Sequence, residues 1–224
     1  MLPAHREYFT TEGRRLPSVT EILRVATPPA LIGWANKMGL QGKKIQEIMK
    51  KKATIGTLAH YFAECDIKNE TRNTTLLSDY FVDDLQQAEK YFEAFLNWKR
   101  NCGLEFIESE IPLTALYPDF GGFGGTIDAI ARKGEGEWII DFKTTSGIYF
   151  EHRVQVAAYA FLADSKCGHP VYNLQVVRLI PDGSFEVWKC SDSPLIWDYF
   201  RYFLCCLQLF NERRALDDRA PVLD

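Results

Sequence analysis

Long apolar runs are missing from this sequence, and no segment approaches the roughly 20 consecutive apolar residues needed to cross a bilayer. The first residues (MLPAHREYFTTEGRR) also lack the apolar core of a secretory signal. The cysteines are irregularly spaced and include no C-x-x-C pair, which argues against a zinc ribbon and against a secreted disulfide framework. These absences predict a soluble, intracellular protein with reduced thiols.

An excess of positive charge is also absent, since the 224 residues carry a formal net charge of −4. Any contact with a polyanion must therefore come from a local patch. The segment from Lys37 to Lys52 is rich in lysine and contains a single acid, Glu47. It is either a solvated helix face or a phosphate-binding patch, and a phosphate-handling group nearby would favour the second interpretation. The candidate phosphate contacts are Lys43, Lys44, Lys50, Lys51 and Lys52.

The period of the hydrophobic pattern changes near Gly103. Before this glycine, apolar residues recur every three to four positions, which predicts short helices within 16–66 and a longer helix over 78–102. After it the period is two, which indicates strands interleaved with helices. The predicted strands are 104–116, 124–133, 137–144, 170–180 and 184–189, and the predicted helices are 150–165 and 194–215. The expected fold class is therefore α/β or α+β. We interpret residues 1–103 as an N-terminal helical region and residues 104–224 as the core, packed together as one compact unit.

Two apolar segments joined by a turn each carry an acid. Asp128 lies in GGTIDAI, Asp141 lies in WIIDFKT, and KGEG separates the two segments. If the turn contains two residues (134–135) or four (133–136), Asp128 lies directly opposite Asp141. Lys143 then shares their face, because side chains alternate along a strand with period two. An even turn is therefore the prediction.

Two carboxylates about 5 Å apart repel each other unless a cation lies between them. Oxygen ligands with open positions suit Mg²⁺ or Mn²⁺, which also accept phosphate oxygens. Because the tripeptide D-x-K is common, it favours by itself a solvent-facing ion pair between Asp141 and Lys143. The motifs that accompany it decide between the two interpretations.

Four motifs follow one another along the chain. They are G-x-x-x-H-x-x-x-E (Gly56, His60, Glu64), G-x-x-D (Gly125, Asp128), D-x-K (Asp141, Lys143) and Q-x-x-x-Y (Gln155, Tyr159). Their order over residues 54–162 resembles the RecB-like branch of the PD-(D/E)xK nuclease superfamily. The upstream segment LPSVTEIL, followed by Leu31 and Trp34, resembles the leader of the mitochondrial genome maintenance exonuclease group and its viral (phage) relatives.

This resemblance implies a restriction-endonuclease-like core, in which a central mixed β-sheet is flanked by helices. It implies that Asp128 and Asp141 are metal ligands with catalytic roles and that Lys143 is the catalytic lysine. His60 and the backbone carbonyl of Phe142 would complete the metal shell. One or two Mg²⁺ or Mn²⁺ ions are the implied cofactors.

The remaining motif residues have supporting roles under the same resemblance. Gln155 and Tyr159 would orient the site or touch DNA. Glu64 and Glu110 would support the ligands without binding the metal themselves. An iron–sulfur cluster, which some RecB-like relatives hold, is not expected because the late cysteines lack the required spacing.

The function implied is a metal-dependent DNA exonuclease that hydrolyses phosphodiester bonds, acting on single-stranded DNA with a free end. The alternatives are a double-strand DNA exonuclease of the phage recombination type and a non-catalytic DNA-binding module with the nuclease fold. DNA is the expected partner, replication or recombination proteins are further candidates, and no membrane is expected. The expected location is the host cytoplasm if the protein is phage-encoded, and the mitochondrion only if a transit peptide was removed.

Overall fold

The computed structural model describes residues 6–26, 29–117, 119–168, 171 and 173–219. The helices are α1 (Val19–Leu23), α2 (Pro29–Leu40), α3 (Ile45–Lys68), α4 (Thr74–Leu77), α5 (Val82–Cys102), α6 (Phe150–Cys167) and α7 (Ser193–Asp217), with a 3₁₀ turn at Arg24–Ala26. The strands are β1 (Tyr8–Phe9), β2 (Arg15–Leu16), β3 (Glu105–Tyr117), β4 (Gly121–Lys133), β5 (Gly136–Lys143), β6 (Leu174–Leu179) and β7 (Phe185–Cys190). Within these ranges, no helix is long and apolar enough to span a bilayer.

The central sheet contains five strands in the order β3-β4-β5-β6-β7. β5 and β6 pair in parallel through the crossover helix α6, and the other neighbours pair antiparallel. The sheet is therefore mixed, and the predicted fold class is confirmed. The strand expected over 170–180 begins at Leu174, while positions 170 and 172 lie outside the described residues.

Helices cover both faces of the sheet. On one face, α1, α6 and α7 bury apolar side chains in a large cluster that includes Ile22, Val156 and Phe203. On the other face, α5 packs Phe95 and Trp98 against the sheet, and α3 joins it. This burial removes the apolar side chains of β4, β5 and β6 from water, which is the main favourable contribution to folding.

The N-terminal region differs from the sequence prediction in two ways. The stretch expected to form short helices contains α3, one continuous helix of 24 residues. No proline interrupts it, and it ends at Asn69, whose φ of 55° is left-handed. The two-stranded β1–β2 sheet was not predicted, because strands of two residues carry no periodic signal.

Specific residues mark where two helices begin or end. Ser18 and Glu21 form the capping box of α1: the Ser18 hydroxyl accepts from the Glu21 amide at 3.1 Å, and the Glu21 carboxylate accepts from the Ser18 amide at 2.8 Å. Gly103 follows α5 with a φ of 63°, as its position after the apolar pattern predicts. The predicted helix over 78–102 begins later than expected, at Val82.

Glycines at the start of β4 allow two aromatic rings to lie against the strand. A Cβ atom on Gly124 would lie 2.2 Å from Cγ of Tyr8, and one on Gly125 would lie 2.6 Å from Cε1 of Tyr159. The amide of Gly124 also donates to the carbonyl of Pro17 at 3.0 Å. A backbone hydrogen bond therefore holds the leader segment against β4. The absence of a side chain on Gly124 leaves room for the Tyr8 ring beside it.

Substitution of Gly124 tests this close approach. Gly124→Ala is expected to lower the free energy of unfolding by about 1–3 kcal/mol, because the added methyl group cannot fit beside the Tyr8 ring. Urea-induced unfolding measures the change. Gly33→Ala in α2 is the matched control, since a Cβ there meets no atom within 4 Å, and it is expected to be neutral or slightly stabilising. Equal stability of Gly124→Ala and the wild type would contradict the packing.

Candidate metal centre

Asp128 lies where β4 and β5 stop pairing. The ladder runs from Lys133 opposite Gly136 to Ala129 opposite Ile140, so the turn contains the two residues 134–135 and the prediction of an even turn is confirmed. One step further along the same register, Asp128 falls opposite Asp141. At this point a side chain takes part in the contact between the strands: Oδ2 of Asp128 accepts a hydrogen bond of 2.7 Å from the Phe142 amide.

Three side chains from three elements converge beside this position. His60 of α3, Glu110 of β3 and Asp128 of β4 each offer a ligand atom, and these atoms all lie within 4.8 Å of one another. Nδ1 of His60 lies 3.4 Å from Oδ1 of Asp128. Glu110, which the resemblance placed in a supporting role, therefore lies beside the predicted ligands.

A local irregularity of the sheet directs Glu110 and Asp128 into the same space. Ile127 packs in the cluster under α6 and α7, whereas Ala129, two residues later, packs in the cluster under α5. Residues two apart normally share a face, so β4 switches faces at Asp128. On β3, Glu110 has a φ of 53°, which is rare for a residue with a side chain. Both carboxylates therefore leave the regular pleat at the site.

Asp141 and Lys143 form a separate buried pair. Nζ of Lys143 lies 2.8 Å from Oδ1 and 2.7 Å from Oδ2 of Asp141, whose side chain is only 1% exposed. Oδ2 has no hydrogen-bond partner of adequate geometry among the described residues. Asp141 is not a member of the three-residue group around Asp128. The resemblance implies that Asp128 and Asp141 share one cation. In the structure Asp141 pairs with Lys143, and its role as a metal ligand stays a prediction.

Gln155 and Tyr159 lie under the sheet, on α6. The side-chain amide of Gln155 donates to the Tyr159 hydroxyl at 2.7 Å, and both side chains are buried. Burial first, and then the charges of Asp141 and Asp128, raise the pKa of Tyr159 well above its usual value. Of the two roles that the resemblance offers, orienting the site agrees better with this burial than contact with DNA does.

Burial and mutual charge shift the pKa values of the cluster in different directions. Burial lowers the pKa of His60, but the Asp128 carboxylate raises it more, to about 9. Burial, helped by Asp128, raises the pKa of Glu110 to about 7. Burial raises the pKa of Asp141 to about 6 despite the Lys143 ammonium. Burial also acts to raise the pKa of Asp128, yet the charges of His60 and Lys143 keep it below its usual value.

The His60, Glu110 and Asp128 group opens into a cleft of about 1410 Å³. Of the five predicted phosphate contacts, Lys52 lines this cleft and lies 5.6 Å from the ring centre of Trp34. Lys44 pairs instead with Glu47 at 2.9 Å, and Lys51 lies 3.7 Å from Asp84. The other four, Lys43, Lys44, Lys50 and Lys51, do not line the cleft.

Other basic residues line the cleft and were not predicted. Arg6, Arg15 and Arg24 come from the N-terminal segment, and Arg178 comes from β6. Arg15 pairs with Glu21 at 2.9 Å. Isolated arginines far apart in sequence form no charge run, so the pattern that singled out the lysines could not detect them.

The structure does not test the roles that were predicted for Glu64 and Phe142. Glu64 lines the cleft on α3 and pairs with Lys68 one turn later. The Phe142 ring is buried, with its centre 5.3 Å from that of Phe95 and 5.4 Å from that of Trp98. These ring contacts anchor the end of β5 from which the Phe142 carbonyl would reach a metal.

The donors present fit a divalent cation. Two carboxylates and one imidazole nitrogen converge in the group around Asp128, and the nearby Oδ2 of Asp141 is buried without a hydrogen bond. Oxygen-rich sets of this kind suit Mg²⁺ and Mn²⁺, and an added imidazole is compatible with Mn²⁺.

Comparison with known proteins establishes the family. Residues 34–184 match the family model of the PD-(D/E)XK nuclease superfamily. This span exceeds half of the chain and contains all four motifs, and the protein belongs to that superfamily. Membership implies a nucleic-acid substrate. No curated protein matches the chain.

Two solved structures that the chain resembles are distant from it in sequence. SSO0001 is 16% identical, with a TM-score of 0.35 over 69% of this chain and 73% of its own. A protein from Eubacterium rectale, described as a putative exonuclease, is 13% identical, with a TM-score of 0.47 over 71% of this chain. The match covers 65% of that second protein, just under two thirds of its length.

The raised pKa of Glu110 predicts how stability depends on pH in the metal-free protein. Folding raises this pKa from 4.5 to about 7, so the native state holds the proton more tightly than the unfolded state does. The stabilisation that comes from the protonated Glu110 carboxyl is complete below pH 4.5 and is lost as pH rises through about 7. The variant Glu110→Gln lacks this dependence on pH. The free energy of unfolding of the variant minus that of the wild type should therefore rise by more than about 1 kcal/mol between pH 5 and pH 8.

Urea unfolding in EDTA at the two pH values measures this difference. Glu108→Gln is the control, because Glu108 lies on the same strand but pairs with Lys166 at 2.6 Å outside the cluster. Parallel pH profiles for the wild type and Glu110→Gln would contradict the placement of this carboxylate beside Asp128.

Proposed function

We propose that this protein is a metal-dependent deoxyribonuclease that degrades single-stranded DNA from a free end. The observation that carries the proposal is the convergence of His60, Glu110 and Asp128 beside the buried Asp141–Lys143 pair, at the bottom of a cleft with basic and aromatic walls. A catalytically inactive descendant would be expected to have lost Asp128, Asp141 or Lys143, and all three are present.

Each group has a distinct task in this proposal. His60, Glu110 and Asp128 would hold the cation, with Asp141 available to join them. A bound Mg²⁺ or Mn²⁺ polarises a phosphate oxygen and lowers the pKa of a water molecule that it binds. Lys143 pairs with the buried Asp141 carboxylate and would stabilise negative charge that develops on the phosphate. Gln155 and Tyr159 would fix the α6 side of the sheet beneath these groups.

The lining of the cleft supports a single strand as the substrate. Arg6, Arg24 and Lys52 supply positive charge for phosphates, and Trp34 and Tyr149 supply ring surfaces. Unpaired bases can stack on such rings, whereas bases in a duplex already stack on one another. The preference for DNA over RNA and the requirement for a free end rest on the resemblance of the motifs and the leader segment.

Removal of the central pair tests the chemistry. Asp141→Asn and Lys143→Ala are each expected to reduce cleavage of linear single-stranded DNA by about 10³-fold or more, because the site loses a ligand or a positive charge. Gel analysis of end-labelled DNA in Mg²⁺ measures the rate, and circular dichroism checks the fold. Lys90→Ala, an exposed lysine of α5 outside the cleft, is the control. Cleavage at the wild-type rate by either site variant would refute the site.

The form of the substrate tests the proposed mode of action. Linear single-stranded DNA is expected to be degraded in Mg²⁺ or Mn²⁺ and to be stable in EDTA, while circular single-stranded DNA persists because it offers no end. Labelled linear and circular DNA, single-stranded and double-stranded, are compared in parallel. Equal cleavage of the two single-stranded forms would contradict the need for an end. Faster degradation of linear duplex would favour the double-strand alternative.

A further inference from the structure

A tyrosine that lines the same cleft as the metal centre has features of a base-stacking platform. Tyr149 follows the loop that connects Lys143 to α6, and it lines the cleft together with Thr144, Thr145 and Ser146. The residue is 46% exposed. We propose that Tyr149 stacks on an unpaired base of the bound DNA strand, next to the phosphate at the metal centre. This inference rests on the function proposed above.

The ring of Tyr149 is held in place before any ligand binds. Its hydroxyl lies 2.6 Å from Oγ of Ser146, in a hydrogen bond. Its ring packs against that of His152, with ring centres 5.3 Å apart and ring planes at 66° to each other. A Cβ on Gly147 would lie 3.5 Å from Cζ of Tyr149, so the ring rests against the loop backbone. A ring fixed in this way loses little conformational entropy when a base stacks on it.

The other aromatic residues of the cleft are more fully engaged. Tyr8 is 8% exposed, packs on Gly124 and shares a hydrogen bond of 2.8 Å with Thr126. The hydroxyl of Tyr61 accepts from the Asn73 amide at 2.8 Å. Among the described aromatic residues of the cleft, Tyr149 presents the most exposed ring.

The surroundings of Tyr149 suit a strand rather than an isolated base. Nε of Arg178, which also lines the cleft, donates to the Thr145 carbonyl at 2.9 Å, and Nη1 of the same guanidinium pairs with Glu186 at 2.8 Å. Thr144 and Thr145 of this loop line the cleft; the Thr145 hydroxyl donates to the Gly147 carbonyl at 2.9 Å, and the Thr144 hydroxyl can donate to a phosphate oxygen. A stacked base, a nearby guanidinium and a hydroxyl donor together recognise single-stranded DNA without reading its sequence.

Binding measurements test the platform separately from cleavage. The full-length protein carries Lys143→Ala to prevent hydrolysis, and the probe is fluorescent oligo(dT) of about 20 nucleotides in Mg²⁺. Adding Tyr149→Ala is expected to weaken binding about tenfold, whereas Tyr149→Phe, which keeps the ring, should change it less than about threefold. Trp197→Ala is the control, because Trp197 is a 47% exposed aromatic residue outside the cleft.

An abasic scan distinguishes stacking from an indirect structural effect. Single abasic positions are placed along the oligonucleotide, and one or two of them should weaken binding to the protein with Tyr149. The same positions should cause no loss with Tyr149→Ala, because the stacked base has no ring to contact. Tyr149→Leu provides a second ring-free variant if Tyr149→Ala unfolds, and thermal melts monitored by circular dichroism check both.

The outcomes separate this inference from the proposed function. An affinity for DNA that is unchanged when the Tyr149 ring is removed overturns the platform. The platform is also overturned if Tyr149→Ala binds more weakly but still loses as much affinity at the abasic positions as the protein with Tyr149 does. If the Lys143→Ala protein that retains Tyr149 binds no DNA, and the wild type cleaves no DNA, the proposed function fails and the platform fails with it. Binding and cleavage by the wild type, with unchanged affinity in Tyr149→Ala and Tyr149→Leu, rejects the platform alone.

Discussion

The negative charge of Asp128 is buried inside the protein, and the groups around it serve to compensate that charge. The Phe142 amide donates to one of its oxygens and the His60 imidazole lies beside the other. Glu110 adds a second acid to the same space, while Asp141 takes the Lys143 ammonium as its own counter-ion. Since isolated charges are costly to bury, each acid here lies beside a positive or hydrogen-bonding partner. The convergence of two acids and an imidazole is consistent with a divalent-cation site of the kind typical of the superfamily.

The fold supplies the close contacts that hold these charges together. A Cβ on Gly56 would lie 3.0 Å from Oγ1 of Thr144, so this glycine lets α3 approach the end of β5 one turn before His60. Gly124 and Gly125 allow tyrosine rings to cover β4 just before Asp128. The glycines of the motifs are therefore explained by the distances between elements. A larger residue at any of them would separate a helix or a ring from the strand that carries the ligands.

Much of this arrangement could be predicted from the sequence, because periodicity reports which faces of helices and strands are buried. The alternation of strands and helices and the even turn follow from such local rules, and the mixed sheet follows from the resemblance of the motifs. The sequence analysis gives Glu110 a supporting role, but its convergence with His60 and Asp128 as a possible third ligand could not be predicted, because nothing in the sequence signals the positive φ of Glu110. The arginines of the cleft were missed for a related reason, since only tertiary structure brings them together. The boundary between an N-terminal region and a core remains a prediction.

The most direct test of the account is to locate the cation by anomalous X-ray diffraction from crystals of the protein grown with Mn²⁺. The account predicts an anomalous peak within about 2.0–2.4 Å of a carboxylate oxygen of Asp128, with His60 or Glu110 among its other ligands. A peak bound elsewhere, or an empty site at saturating Mn²⁺ with Asp128 still paired to His60, would contradict it.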